Sequence, residues 1–329
     1  MDDQAQNYEK GSVCIAMGIY NGSSFLEQQL QSILDQGHQN WLVLAGDDAS
    51  QDNSTEVVSR YLSEQISIQQ SEKNQGVVGN FNQLLSAALK TPSEYIALSD
   101  QDDVWKEEKL QEQLHLMRQL ESQNPGKPVL VHSDMEVVDR ELQQIAPSFM
   151  RFQGVRQEDE NPLRILLVQN FVTGCTVLMN RRLLEIALPL PEHTLMHDWW
   201  LALCAATMGK IGFVPMPLVK YRQHGNNEVG AKPWHRLVNP LRHNHFQIWN
   251  EGRYRLLETV RQAQALAERV KAHFPNHDRL PLIEGYAELL ELPPWSRIQQ
   301  LNRLGIHCQS QLRHLLMLSR FAYPTSQAG

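Results

Sequence analysis

The first half of the chain alternates short apolar runs with amphipathic stretches, and this rhythm restricts the fold more than any other feature. Residues 12–17 (SVCIAM), 41–45 (WLVLA), 66–70 (ISIQQ), 95–98 (YIAL) and 129–132 (VLVH) read as strands. Between them Phe25, Leu26, Leu30, Ile33 and Leu34 recur at helical spacing, as do Val57, Val58, Tyr61 and Leu62. Further helices are expected over 80–89 and over 105–120, the latter with Leu110, Leu114 and Met117 on one face. Strand and helix alternating at this interval predict an α/β fold, a mostly parallel central sheet with helices on both faces. The polar stretch 147–162 is expected to be a loop or lid near the sheet's open edge. Residues 174–180 and 211–221 read as later strands flanking a helix over 198–208. After Gly230 strand signals fade, and Ile248, Tyr254, Leu257 and Val260 fall at helical spacing. The expected division is an α/β domain over 1–230 and a helical C-terminal region over 231–329.

In open sheets of this kind, ligands sit beyond the carboxyl ends of the strands. Two acidic turns fall there. Gly46-Asp47-Asp48-Ala49-Ser50-Gln51-Asp52 follows the second strand, and Ser99-Asp100-Gln101-Asp102-Asp103 follows the fourth. Clustered carboxylates repel one another and are costly to bury without a cation or hydrogen-bond donors. The Asp-x-Asp spacing suits a hard divalent ion that also holds substrate phosphates. Each turn also precedes a helix, so Asx turns and helix N-caps explain either one alone. The chain has neither the phosphate-binding pattern G-x-x-x-x-G-K-[ST] nor a G-x-G-x-x-G after the first strand. A metal-bridged diphosphate therefore suits this edge better than one cradled by backbone.

Three further motifs lie in the second half: Gly174-Cys175-Thr176, His197-Asp198-Trp199-Trp200, and Tyr221-Arg222-Gln223-His224-Gly225-Asn226-Asn227. Asp198 reads either as a helix N-cap or as a general base. His224 reads as a surface histidine or as a ligand. The balance of 30 Lys and Arg against 37 Asp and Glu gives a net charge of −7, so a nucleic-acid partner is not expected. Cys14, Cys175, Cys204 and Cys308 are widely spaced, as buried free thiols are, and form no C-x-x-C pair. The polar N-terminus does not read as a signal peptide, and no apolar run approaches the roughly 20 residues of a membrane span, so a cytoplasmic protein is expected.

Taken in order, these motifs resemble inverting family 2 glycosyltransferases of the GT-A fold, particularly bacterial rhamnosyltransferases. The matching stretch runs from Val13 to about Gly230. It comprises Tyr20-Asn21-Gly22, Asp47 to Asp52, Asn74-Gln75-Gly76 through Asn82, Ser99 to Trp105, His197-Asp198-Trp199 and Tyr221 to Asn227. The resemblance implies that Tyr20 and Asp48 hold the nucleobase and that Asn82 lies on a helix flanking the nucleotide pocket. It implies that Asp100 faces the ribose and Gln101 the donor. Asp102 would ligate Mg²⁺ or Mn²⁺ between the donor phosphates, with His224 joining the metal or the diphosphate. Asp198 would be the catalytic base. Two positions depart from the family pattern: Ala49 stands where glycine is usual, and His197 where glutamate commonly precedes the base. The first suggests a changed turn, because glycine there often supplies an unusual φ. The second changes the hydrogen bonding on the acceptor side.

The implied activity is a metal-dependent transfer of a sugar from a nucleotide-diphospho-sugar to a hydroxyl of a glycan or lipid-linked glycan acceptor in cell-surface polysaccharide synthesis. The best match for the donor is dTDP-L-rhamnose. A UDP-sugar donor is the alternative on the same fold, and a catalytically silent glycan-binding module is the alternative from another class. The stretch Trp234 to Trp249 is basic and aromatic within an acidic protein. It suits a membrane surface, a second copy of the chain, or an amphipathic helix packed on the first domain. The segment from Arg297 to Arg320 allows the same readings.

Overall fold

A computed structural model describes residues 11–224 and 245–323. The chain opens with β1 (Val13–Ile19), α1 (Leu26–Leu34), β2 (Trp41–Asp47), α2 (Ser54–Ser59), β3 (Ile66–Gln70), α3 (Gly76–Ala88) and β4 (Tyr95–Asp100). These four strands are mutually parallel in the order β3-β2-β1-β4. Val13, Ile15, Met17 and Ile19 pack on one face of β1, and Cys14 and Ala16 on the other; each is at most 1% exposed. A strand covered on both faces by helices must be apolar on both sides, which is why 12–17 reads as a continuous run.

The middle of the chain supplies β5 (Val104–Trp105), α4 (Lys109–Gln123), β6 (Val129–Val138), β7 (Gln144–Ala146), α5 (Phe149–Gln153), α6 (Pro162–Leu166), β8 (Leu178–Asn180), α7 (Arg181–Ala187), α8 (His197–Met208) and β9 (Lys210–Arg222). The full sheet runs β3-β2-β1-β4-β8-β6-β9-β5, with β7 on β6. Beyond β4 it becomes mixed: β8 is antiparallel to β4 and β6, β5 is antiparallel to β9, and β6 runs parallel to β9. The architecture is the expected GT-A-like one, parallel in its first half and mixed in its second.

Several local expectations shift. The helix expected from Trp105 starts at Lys109, because Val104 and Trp105 pair with Lys220 and Val219. The strand expected over 174–180 begins as a 3₁₀ turn at Gly174–Thr176 and is extended only over Leu178–Asn180. The 147–162 stretch holds the short α5 and is tied down. Arg313 donates to Gly154 O at 3.0 Å and Gln153 O at 2.6 Å, while Gln309 exchanges two hydrogen bonds with the Arg156 backbone at 3.0 and 2.6 Å. It is an anchored loop.

The C-terminal helices are α9 (His245–His273), α10 (Leu280–Ala287), α11 (Pro294–Leu304) and α12 (Gln311–Phe321). Val260, Ala263, Leu266, Val270, Ile283 and Tyr286 join Trp200, Leu203 and Leu183 in one apolar core. Arg269 fixes α9 to the catalytic layer by donating to Ile186 O, Leu188 O and Pro189 O at 2.7–2.8 Å. The expected stripe on α9 is only partly buried: Val260 is inside, whereas Ile248 is 44% and Tyr254 65% exposed. Residues Gly225, Asn226 and Asn227 and the part of the basic aromatic stretch from Trp234 to residue 244 lie outside the described residues. Among the described residues, no helix is long and apolar enough to cross a membrane.

Candidate active site at the carboxyl ends of the strands

Register places the acidic turns side by side. Ile19 pairs with Asp47 across β1 and β2, and Gly18 pairs with Asp100 across β1 and β4. Tyr20 leaves the end of β1 with its side chain 47% exposed beside them.

The turn after β2 is held mostly by its own hydrogen bonds. Asp52 accepts from Ser23 N at 3.0 Å, Ser54 N at 3.0 Å and the Ser54 hydroxyl, and these bonds hold its carboxyl below the ordinary aspartate range against some burial. Asn21 exchanges with the same turn, accepting from Gln51 N at 2.8 Å and donating its N–H to Ser50 Oγ at 2.9 Å. Asp47 Oδ2 accepts from Ser50 N at 3.1 Å, while its Oδ1 is buried without a partner. The buried Asp48 accepts from Gln75 N at 2.8 Å, which fixes the start of α3 beside Tyr20. Ala49 adopts φ 61°, the left-handed conformation that the usual glycine would take without strain.

The turn after β4 is organised differently. Asp102 Oδ2 meets His224 Nε2 at 2.7 Å, so the two residues expected to share a metal are in contact. The His224 ring stacks on Phe25 with centroids 4.7 Å apart. Arg222 donates its Nε to Asp102 O at 2.8 Å, and its backbone N–H reaches Asp103 Oδ1 at 3.2 Å. Burial, reinforced by the charges of Asp102 and Asp198, pushes the Asp100 carboxyl up to about 7. Asp103 is fully buried, and burial with the Asp102 and Asp100 charges raises its carboxyl well above the ordinary range. Asp103 and Cys175 are hydrogen-bonded, and the buried Lys109 lies within electrostatic reach of both. The Lys109 ammonium sits 3.7 Å from the Trp105 ring centroid and donates to Gln113 at 2.9 Å.

Asp198 occupies the first turn of α8. It does not cap that helix: the cap position is Met196, which makes no side-chain bond. Instead Asp198 Oδ2 accepts from Gly174 N at 2.9 Å and Oδ1 from Asn170 Nδ2 at 3.3 Å. Burial raises its carboxyl to about 6, partly offset by the N–H groups of Trp199 and Gly174. Such a group is ionised near neutral pH yet basic enough to take a proton.

Two of the expected donor residues have structural partners. Gln101 is clamped to the Tyr20 backbone, accepting from Tyr20 N at 2.7 Å and donating to Tyr20 O at 2.8 Å. Asn82 accepts from Leu190 N at 3.0 Å and so anchors the segment before α8. It is Asn80, two residues earlier on α3, that reaches the strand ends, donating to Gly46 O at 2.8 Å. Asp103, Asn170, Phe81 and Asn80 were not singled out from the sequence. Asp103 lies inside the acidic motif, and Asn80 and Phe81 inside the stretch from Asn74 to Asn82; Asn170 falls in none of the motifs.

The carboxylate edge fits a divalent cation: Asp102 and His224 offer oxygen and nitrogen ligands in contact, and the raised carboxyls of the half-buried Asp100 and the buried Asp103 would ionise beside a cation. The oxygen and sulfur of Asp100, Asp103 and Cys175 also lie within 4.8 Å of one another.

Comparison with known proteins bears on the family and the fold. Residues 14–186 match the family described as glycosyl transferase family 2, a stretch that ends before Asp198 and His224. The dTDP-rhamnosyl transferase RfbG of Shigella flexneri is 26% identical over 227 residues, 65% of this chain and 74% of that one. The putative teichuronic acid biosynthesis glycosyltransferase TuaG of Bacillus subtilis is 33% identical over 110 residues, 33% of this chain and only 42% of its own length. Among solved structures, residues 1–349 of S. aureus TarS superpose with a TM-score of 0.55 at 17% identity, over 94% of this chain and 89% of that one. That likeness establishes the shared fold. With the family match spanning more than half of the sequence, the chain belongs to glycosyl transferase family 2 and is a glycosyltransferase with a GT-A-like fold.

Proposed function

We propose that the protein transfers a sugar, with inversion, from a nucleotide-diphospho-sugar to a hydroxyl of a glycan or lipid-linked glycan in cell-surface polysaccharide synthesis. The observation that carries this reading is the buried carboxylate Asp198 at the start of α8, held by Gly174 N and Asn170 and raised to about 6. An acceptor hydroxyl is a weak nucleophile at neutral pH, and general-base assistance is worth about 10²–10⁴-fold. Direct displacement by a hydroxyl that this one base activates inverts the anomeric centre.

Tyr20 and Asp48 hold the nucleobase, with the exposed Tyr20 ring available for stacking and Asp48 fixing the α3 start beneath it. Asp100 stands where the ribose and diphosphate pass. Asn82 and Gln101 support the pocket through the Leu190 segment and the Tyr20 backbone. Asp102 and His224 would hold Mg²⁺ or Mn²⁺, which as a Lewis acid offsets charge on the departing diphosphate. The assignment of dTDP-L-rhamnose as donor is supported by the similarity to RfbG. A UDP-sugar is supported by WfgD of Escherichia coli, named as a UDP-Glc-dependent glucosyltransferase, which is 34% identical over 106 residues, 32% of this chain and 40% of that one.

The test is incubation of the purified protein with dTDP-L-rhamnose and with UDP-sugars, each with Mg²⁺, Mn²⁺ or EDTA. Released nucleoside diphosphate and the anomeric configuration of the product, read by NMR, report the outcome. Metal-dependent release with an inverted product supports the reading. A retained configuration overturns the single-displacement mechanism, and no release from any donor overturns the transfer itself.

A further inference from the structure

His197, the residue immediately before Asp198, is only 2% exposed, yet neither of its ring nitrogens has a hydrogen-bond partner. Its ring lies flat on Phe81, with centroids 3.8 Å apart and planes 13° from parallel. Phe81 in turn packs against Gly18 at the end of β1, where a Cβ would come within 3.0 Å of the ring. The imidazole is thus fixed beneath the strand ends. Burial pushes its pKa down to about 3, so it is neutral throughout the working range.

Native proteins seldom leave a buried polar side chain unpaired, and an orphaned group of this kind often marks a place filled by substrate or water. Nε2 has a defined neighbour. A Cβ on Gly174 would stand 3.1 Å from His197 Nε2 and 3.7 Å from Asp198 Oδ2. Because residue 174 is glycine, the imidazole and the oxygen of the base can both approach its backbone this closely.

We propose that His197 holds the attacking hydroxyl: its Nε2 and Asp198 Oδ2, both set beside Gly174, grip the same substrate oxygen. This rests on the sugar-transfer reading and extends it from the base to its neighbour. In the reaction the hydroxyl oxygen bonds to the anomeric carbon. The bond from that carbon to the diphosphate breaks with its electron pair on the phosphate, and the hydroxyl proton ends on Asp198. His197 exchanges no proton; it keeps the hydroxyl turned so that its proton faces Oδ2.

The test compares wild type with His197→Phe, which preserves the stack on Phe81 but deletes both nitrogens, and with His197→Gln and His197→Asn. Glutamine can place an amide near the Nε2 position and asparagine cannot. Donor turnover is followed with p-nitrophenyl N-acetyl-β-D-glucosaminide as acceptor probe and with water alone, and affinity for the nucleoside diphosphate is measured alongside. His197→Phe is expected to slow turnover about 10- to 100-fold, the scale of one lost substrate hydrogen bond. Nucleotide affinity should stay within about twofold and thermal stability at or above wild type, since two unpartnered buried nitrogens are gone. His197→Gln should recover part of the rate and His197→Asn should not. Gly174→Ala, whose methyl would press on His197 Nε2, should reproduce the loss. Wild-type turnover in His197→Phe would overturn the inference while leaving the sugar-transfer reading intact. A wild-type protein that consumes no nucleotide sugar with either nucleophile would overturn that reading, and this inference with it.

Discussion

The two acidic turns at the sheet edge have similar composition and opposite physics. After β2, Asp48 and Asp52 spend their oxygens on backbone N–H groups, and Asp52 is stabilised as a carboxylate. After β4, Asp100 is half-buried and Asp103 buried, each raised by burial and by neighbouring carboxylates. The first turn is stabilised by its charges and the second is strained by them. A structure retains such strain where a ligand relieves it, and the contact of Asp102 with His224 marks where a cation would do so. An acidic motif therefore becomes informative only when its hydrogen-bond donors have been counted.

The largest expected effect lies beside the second turn. Asp198→Asn should lower transfer by about 10²–10⁴-fold with nucleotide affinity retained, as single-turnover and binding assays would reveal. A smaller loss would mean that the base is elsewhere. Because the Asp198 carboxyl titrates at about 6, the wild-type kcat/KM should fall on the acidic side of that value, and this limb should vanish in Asp198→Asn.

Stability should separate the turns. Asp52→Ala removes three hydrogen bonds at a helix start and should destabilise by about 1–2 kcal/mol in denaturant unfolding. Asp103→Asn should leave stability nearly unchanged in the presence of EDTA, since burial already keeps that carboxyl protonated and an amide oxygen can still accept from Arg222 N. Equal losses in both variants would erase the distinction.

The pH dependence sharpens the same contrast. Asp100 and Asp198 have folded pKa values of about 7 and 6, above the unfolded value of about 3.9. Their protonated forms favour the folded state, so that contribution is full below about pH 4 and is lost as pH rises toward 7. Asp52 works in the other direction: its contribution is present above about 3.9 and is lost as pH falls through its lower folded value. Metal-free wild type should therefore lose unfolding free energy between pH 4 and 7, with a shallower slope in Asp198→Asn. The smallest expected change is Ala49→Gly, which should stabilise by about 0.5–1 kcal/mol by relieving φ 61°.

Much of this architecture was legible in the sequence because buried strands such as 12–17 and 41–45 are apolar on both faces. The two- and three-residue strands β5 and β7 were not legible, because segments so short have no periodicity to detect. Asp48, Asp102, Asp198 and His224 could be placed from motif order, and the Asp102–His224 contact joins residues 122 positions apart. What the motifs could not convey was which carboxylates are already paired. Gln101 and Asn82 occupy expected positions, but their amides are taken by Tyr20 and Leu190 backbone. The turn change expected at Ala49 does not occur: Ala49 keeps the left-handed conformation, φ 61°, that a glycine there would take. The Phe81–His197 stack depends on tertiary packing between α3 and α8, and no local pattern announces it.

The most direct test of the contrast between the turns is thermal unfolding with dTDP and with UDP, each with Mn²⁺ or EDTA, in wild type and in Asp102→Ala. Ligand at 100 times its dissociation constant adds about 2.7 kcal/mol, enough to move the transition visibly. The account predicts a rise in Tm for wild type with at least one nucleotide that requires Mn²⁺ and disappears in Asp102→Ala. An equal rise in EDTA, or one preserved in Asp102→Ala, would contradict the assignment of the β4 turn as the cation-binding half of the site.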